Sequence, residues 1–329
     1  MHITIFNNLG LPLLIALGAT IGLHLLGRIF FLSSHHRSRK LYEGTHWLPL
    51  RTSGDPLKGE KVEFSSTDRA TLRGTFLRHE TTAPKGTILF CHEFNGTQEN
   101  IGPYVDQLTK AGFNILTFDF RNHGQSDFVH HVQPTPWVTT TDLDDVRAAM
   151  DYLCSRPETA TTGFCVFGFG KGATVALCAA GSDNRIQSVV LDAPVKETKL
   201  FAKNCRDVLF KSMRLSRRRT IRFVVLFIKA LLYVVTYPVL SAIHAWRRFV
   251  LGIWCGCRFV NPGTLAKKVR KPVMIIHGHV DSSIRADQVQ ALCNRMNDRP
   301  RLWFAAPSTD CVDENCSRQV IRFIEEVIG

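Results

Sequence analysis

Phe164 to Gly181 reads FCVFGFGKGATVALCAAG. Its first six residues are apolar and rich in Phe and Val, a run suited to a short strand buried on both faces. Ala173 to Ala180 favours a helix, and Gly181 is a helix stop. Between them stands Gly168-Phe169-Gly170-Lys171-Gly172. Small residues at alternate positions let a strand turn sharply into a helix. The same rhythm extends outward in both directions. KVEFSS and TLRGTFL (from Lys61 and Thr71) read as a first pair of strands, followed by TILFCH (87–92) and NILTFDF (114–120). IQSVVLDA (186–193), VMIIHG (273–278) and RLWFAA (301–306) are three more. Helical spacing separates most of them, as in IGPYVDQLTKAG before Asn114 and in Leu143, Val146, Met150 and Leu153. Strands alternating with helices predict an α/β fold with a doubly wound, mostly parallel sheet. Ligands of such sheets bind at the carboxyl ends of the strands, so the junctions there are searched for chemistry.

The rhythm breaks after Asp192, and the charge explains where. The 329 residues carry 41 Lys+Arg against 28 Asp+Glu, a net charge of +13. Residues 196–271 hold 18 of those bases and only two acids, Glu197 and Asp207, for a local net of +16. The remainder holds 23 bases and 26 acids, a net of −3. The basic segment is also apolar. From Phe223 it reads FVVLFIKALLYVVTYPVL, flanked by Arg217, Arg218, Arg219 and Arg222 on one side and by Arg247 and Arg248 on the other. Nucleic-acid surfaces mix bases with polar residues and a few aromatics. Apolar runs with basic flanks fit anionic lipid, or a buried helical hairpin with solvated ends. No nucleic-acid partner is expected. With an apolar fraction of 45%, 23 Gly and 14 Pro, the chain is neither disordered nor of low complexity.

Leu9 to Leu32 reads LGLPLLIALGATIGLHLLGRIFFL, with Arg28 and His24 its only ionisable residues. Twenty-four residues suffice for a ~30 Å hydrocarbon core at about 1.5 Å per residue. No basic residue precedes the run and no small-residue cleavage site ends it, so a transmembrane helix is expected, not a signal peptide. Arg37, Arg39 and Lys40 follow it, which places the globular domain in the cytoplasm. The ten Cys include no C-x-x-C pair and no set of four zinc ligands at local spacing. No metal and no cofactor are expected. Free thiols fit a reducing compartment.

Four strand ends carry motifs in a set order. Residues 91–96 read CHEFNG, similar to an H-G-x-x-G oxyanion loop. Residues 119–127 read DFRNHGQSD, close to D-x-R-x-x-G-x-S, and 168–172 read GFGKG, the frame of the nucleophile elbow G-x-S-x-G. Residues 274–284 read MIIHGHVDSSI, close to the H-G-x-x-D block that carries a catalytic acid. Each motif is weak alone; four in order are specific. The chain resembles the α/β-hydrolase fold superfamily, in its serine aminopeptidase-like and lysophospholipase-like branch, over about 60–194 and 262–328. The resemblance implies an α/β-hydrolase fold with a helical lid insertion, beside the N-terminal transmembrane helix read from composition. The expected divisions are 1–33 for the anchor, 34–60 for a linker, 61–194 and 261–329 for the core, and 195–260 for the lid.

Carried over by position, the resemblance places the acid of the triad at Asp281. It places the oxyanion-hole N–H groups at Phe94 and Lys171, and the nucleophile at Gly170. The base falls on Asp310 or on Cys311; no His occurs after His279. A serine hydrolase needs an oxygen nucleophile, a base to take its proton and an acid to orient the base. Gly170 has no side chain, and neither Asp nor Cys reproduces a neutral imidazole. His92 and His123 lie near the site, where turn packing is their ordinary role. His277 and His279 flank Gly278, and Asp192 stands at another acid position used by some hydrolases. None of these completes a replacement triad. Cys91 and Cys165 fall within strands, and the Lys171 side chain is expected to run along its helix.

Three functions remain open on this reading. The first is a membrane-anchored, catalytically impaired α/β-hydrolase-fold protein that binds an acyl, ester or peptide-like ligand, or a partner. The second is an active serine-type ester or peptide hydrolase with a rearranged site. The third is a scaffold that uses the basic segment on anionic membrane.

Overall fold

The computed structural model describes residues 57–79, 83–94, 96–130, 132, 134–135, 137–194, 258–278, 286–305 and 314–329. The expected transmembrane run 9–32 and most of the lid, 195–257, lie outside the described residues. Among the described residues no helix is long and apolar enough to cross a membrane.

Eight strands of the described residues make one sheet: β1 (Glu60–Ser65), β2 (Thr71–Leu77), β3 (Gly86–Cys91), β4 (Phe113–Phe118), β5 (Phe164–Phe169), β6 (Ile186–Asp192), β7 (Val273–Gly278) and β8 (Arg301–Ala305). Their order is β1-β2-β4-β3-β5-β6-β7-β8. The β1–β2 and β2–β4 pairs are antiparallel, and every pair from β4 through β8 is parallel. The mostly parallel α/β sheet expected from the sequence is therefore present.

Six α-helices are described: α1 (Gly102–Lys110), α2 (Thr140–Ser155), α3 (Lys171–Ala180), α4 (Pro262–Ala266), α5 (Ala286–Cys293) and α6 (Glu314–Ile328). They cover both faces of the sheet, because strand side chains alternate with period two. Leu89, Leu116, Val166 and Ile275 face the core that also holds Val146 and Met150 of α2 and Val175 and Leu177 of α3. Ile88, Phe90, Ile115, Phe167 and Ile276 face the other core, with Tyr104 and Leu108 of α1 and Val320 and Phe323 of α6. All six residues of β3 and of β5 are buried, which is why they read as unbroken apolar runs.

Local chemistry sets the ends. The α2 helix begins where the Thr139 hydroxyl accepts from the Asp142 N–H and Asp142 accepts from the Thr139 N–H at 2.8 Å. Thr139 also forms a bridge with Phe259, and the Thr140 N–H donates to the Arg258 carbonyl. The chain thus rejoins the core beside the start of α2. Gly112, at φ +107, turns α1 into β4. Both β3 and β4 end shorter than the sequence pattern predicts, so His92 and Asp119–Phe120 fall in the loops at the carboxyl ends.

Candidate active site

The elbow forms as its sequence frame implies. Gly170 follows β5 and precedes α3 with φ +51 and ψ −111, a backbone conformation that L side chains rarely adopt. Its N–H donates to the Asp192 carbonyl at 2.9 Å, which ties the turn to the end of β6. The flanking glycines are required by space. A Cβ built on Gly168 would overlap Gly172 and Ala173 backbone, and one on Gly172 would overlap the carbonyl oxygens of Cys91 and His92. The first turn of α3 therefore rests directly against the end of β3, where the loop carrying Phe94 begins. The first N–H groups of α3 have no acceptor within their own helix. The structure thus brings the strand end that leads to Phe94 against the turn that carries Lys171.

His92 is a brace. Its Nδ1 lies 2.7 Å from the Glu93 carbonyl and its Nε2 lies 3.1 Å from the Phe120 N. A carbonyl only accepts and an N–H only donates, so Nδ1 carries the proton and Nε2 is the acceptor. Both nitrogens are spent on backbone, joining the loop after β3 to the loop after β4. Burial, more than any neighbour, holds this imidazole neutral, with a pKa pushed down to about 4.

His123 differs. Its Nδ1 lies 3.0 Å from the Arg121 carbonyl, so Nδ1 is again protonated. Its Nε2 lone pair is buried and meets no hydrogen-bonding partner among the described residues. The ring lies 5.1 Å from that of His92 and 6.3 Å from that of Phe94. Burial first, then the proximity of His92 and the Lys171 cation, push its pKa down to about 3.

Lys171 does not run along its helix. Its Nζ lies 2.8 Å from Asp142 Oδ1, with both side chains only about a tenth exposed (9% and 10%). Asp142 is thus shared between the start of α2 and the elbow. The sequence-level signal for it is the T-x-x-D capping frame at Thr139–Asp142, but nothing local points to Lys171 as its partner.

Glu93 was also not singled out by sequence, although it stands at the glycine of the H-G-x-x-G frame. Its side chain folds under the turn closed by the Gly96 N–H on the Glu93 carbonyl. Oε1 accepts from Asn100 Nδ2 at 2.7 Å, and Oε2 has no partner among the described residues. Burial raises this carboxyl to about 7.

Asp281, Asp310 and Cys311 lie outside the described residues. Their strands are neighbours, with Gly278 of β7 paired with Ala305 of β8. Asp192 and His277 are buried at the ends of their strands, and the His277 ring contacts Phe304. Cys91 and Cys165 are fully buried, and burial raises both thiols well above their ordinary range. Neither is available as a thiolate. Among the described residues no three His, Cys, Asp or Glu side chains gather to hold a metal.

Known proteins share the fold of this chain. The family model described as serine aminopeptidase, S33, matches residues 82–302. The thiohydrolase AneE of Aspergillus aculeatus is 25% identical over 155 residues, 47% of each chain. The protein YfhR of Escherichia coli K12, itself described as uncharacterised, is 29% identical over 144 residues, 42% of this chain and 48% of its own. The chain spans about half the length of the curated relatives it matches. Among solved structures, the esterase Pf2001 of Pyrococcus furiosus is similar with a TM-score of 0.58 and 20% identity, over 86% of this chain and 95% of its own. Est1E of Butyrivibrio proteoclasticus, solved with ferulic acid bound, has a TM-score of 0.54 at 16% identity, over 80% of this chain and 97% of its own. These likenesses show the α/β-hydrolase fold.

Proposed function

The chain belongs to the serine aminopeptidase S33 family, and on that footing we propose that it is a catalytically impaired, membrane-tethered member. It binds an acyl, ester or peptide-like ligand in the crevice at the carboxyl ends of the strands. The observation that carries this reading is Gly170. The elbow keeps its strand, its helix and its flanking glycines, while the residue at its tip has no atom with which to attack a carbonyl.

The surrounding groups support the same conclusion. His92 has both ring nitrogens engaged, and His123 is too weak a base near pH 7 to drive proton abstraction. The thiols of Cys91, at the end of β3, and Cys165, within β5, are buried and protonated. A bound carbonyl is nonetheless well served. The N–H of Lys171 opens a helix whose dipole favours negative charge, and Phe94 stands at the partner position. Leu9–Leu32 supplies the tether, with the basic residues after it on the cytoplasmic side. The basic, apolar composition of residues 195–260 supports a lid role and contact with anionic lipid.

Calorimetry with methyl octanoate, followed by recovery of the ligand, tests the reading. Saturable binding with the ester recovered intact is the expected result. Binding with steady release of octanoate would show an active hydrolase with a rearranged site. No binding would remove the ligand pocket from the proposal.

A further inference from the structure

His123 has a consequence beyond ligand capture as such. Its Nδ1–H is committed to the Arg121 carbonyl, which orients the ring and leaves Nε2 as a pure acceptor. That lone pair is out of bulk solvent and meets no donor among the described residues. Buried acceptors are paired in the great majority of native structures, because an unpaired one loses its hydration without return. His92, packed against it, shows the contrast: it sits in the neighbouring loop after β3 with both nitrogens satisfied.

The position matters as much as the vacancy of pairing. The ring lies beside Phe94, at the carbonyl-binding corner proposed above, and near enough to Lys171 for that cation to disfavour a protonated imidazole. The group therefore stays neutral and accepting across the physiological range. It cannot serve an anionic ligand atom, which needs a donor.

We propose that His123 Nε2 is a specificity determinant that selects, among acyl ligands, those carrying an O–H or N–H donor near the carbonyl. The proposal rests on the acyl-binding reading above and adds the polar group that the ligand must bring. The acceptor is already buried and unpaired, so a ligand that brings a donor gains a hydrogen bond that the analogue without one does not. A hydroxyacyl chain and an amide supply the same chemistry from different sources.

The experiment compares methyl octanoate with its 2-, 3- and 4-hydroxy derivatives and with N-methyloctanamide, on the full chain labelled with 15N-histidine. At least one donor-bearing ligand is expected to bind about tenfold tighter than methyl octanoate, and to shift the His123 Nε2 resonance while methyl octanoate does not. Preference for the hydroxy esters identifies a hydroxyl donor, and preference for the amide an N–H donor. In His123→Phe the preference for donor-bearing ligands over methyl octanoate disappears. The resonance is read on the unaltered protein, so the test stands even if that variant folds poorly. Methyl octanoate binding as tightly as every derivative, or an unmoved Nε2 resonance in a saturated complex, overturns the proposal and leaves the acyl-binding reading intact. Absence of binding by every ligand overturns both.

Discussion

At the residue scale, Gly170 and Glu93 make opposite commitments. Gly170 relieves the strain that a serine would carry at φ +51, which costs about 1–3 kcal/mol. Gly170→Ser is therefore expected to lose about that much stability in chemical denaturation, with no gain of esterase activity unless a base is also restored at 310 or 311. Glu93 instead keeps a buried carboxyl with one partner, Asn100. Its folded pKa of about 7 lies above its ordinary value of 4.5. Between those two pH values the unfolded chain has released this proton and the folded one has not. Its contribution is thus full below about pH 4.5 and is lost as pH rises through about 7. His92 and His123 act in the opposite sense, since their folded pKa values of about 4 and about 3 lie below the ordinary 6.5. Their contribution is full above pH 6.5 and is lost as pH falls toward 4. Comparing Glu93→Gln with the unaltered protein isolates the carboxyl. The two should be equally stable near pH 4.5, and the variant more stable by roughly 3 kcal/mol at pH 8. Equal stability at both pH values would show that the Glu93 carboxyl is not held protonated.

At the scale of elements, the elbow is fastened on three sides: to β6 through Asp192, to β3 through Gly172 and to α2 through Lys171. The last is the connection that strand and helix patterns could not reveal. Lys171 and Asp142 are 29 residues apart, and periodicity carries no information about which charges meet across two helices. Most of the elements themselves were legible. Apolar runs marked β3, β5 and β6, and the alternating small residues marked the turn at 168–172. Boundaries shifted by one or two residues: β1, β3 and β4 begin one residue before the expected runs, and β3 and β4 end early, as at His92. Asp142→Ala removes the carboxylate half of the capping box and the partner of a nearly buried cation, so a loss of about 3–5 kcal/mol is expected from denaturation curves. Replacing Lys171 by Met together with Asp142 by Leu should cost markedly less than Asp142→Ala alone. A double variant as unstable as the single one would mean that the cap, not the pair, is what matters. Gly172→Ala should also destabilise, by at least about 1–3 kcal/mol, because its Cβ meets backbone that cannot swing aside.

At the scale of the whole molecule, charge and site are separate properties that the net value of +13 conceals. The sheet that builds the site belongs to a slightly acidic remainder, and the bases are concentrated in the insertion after β6. Arg217→Glu, Arg218→Glu and Arg219→Glu in combination should weaken binding to phosphatidylserine-containing vesicles by about 3 kcal/mol or more, roughly a hundredfold, if that segment meets lipid. Unchanged binding would assign the membrane contact to Leu9–Leu32 alone. The α/β-hydrolase frame could be read from four motifs in order, because each is a backbone requirement at a strand end. The roles of His92, His123, Glu93 and Asp142 could not, because they depend on which nitrogen or oxygen finds a partner across loops distant in sequence. Loss of the nucleophile is the central claim, and labelling by a fluorophosphonate probe tests it most directly. Folded, purified protein should show no covalent adduct by intact mass under conditions that fully label an active serine hydrolase. A stoichiometric adduct on a serine of this chain would contradict it.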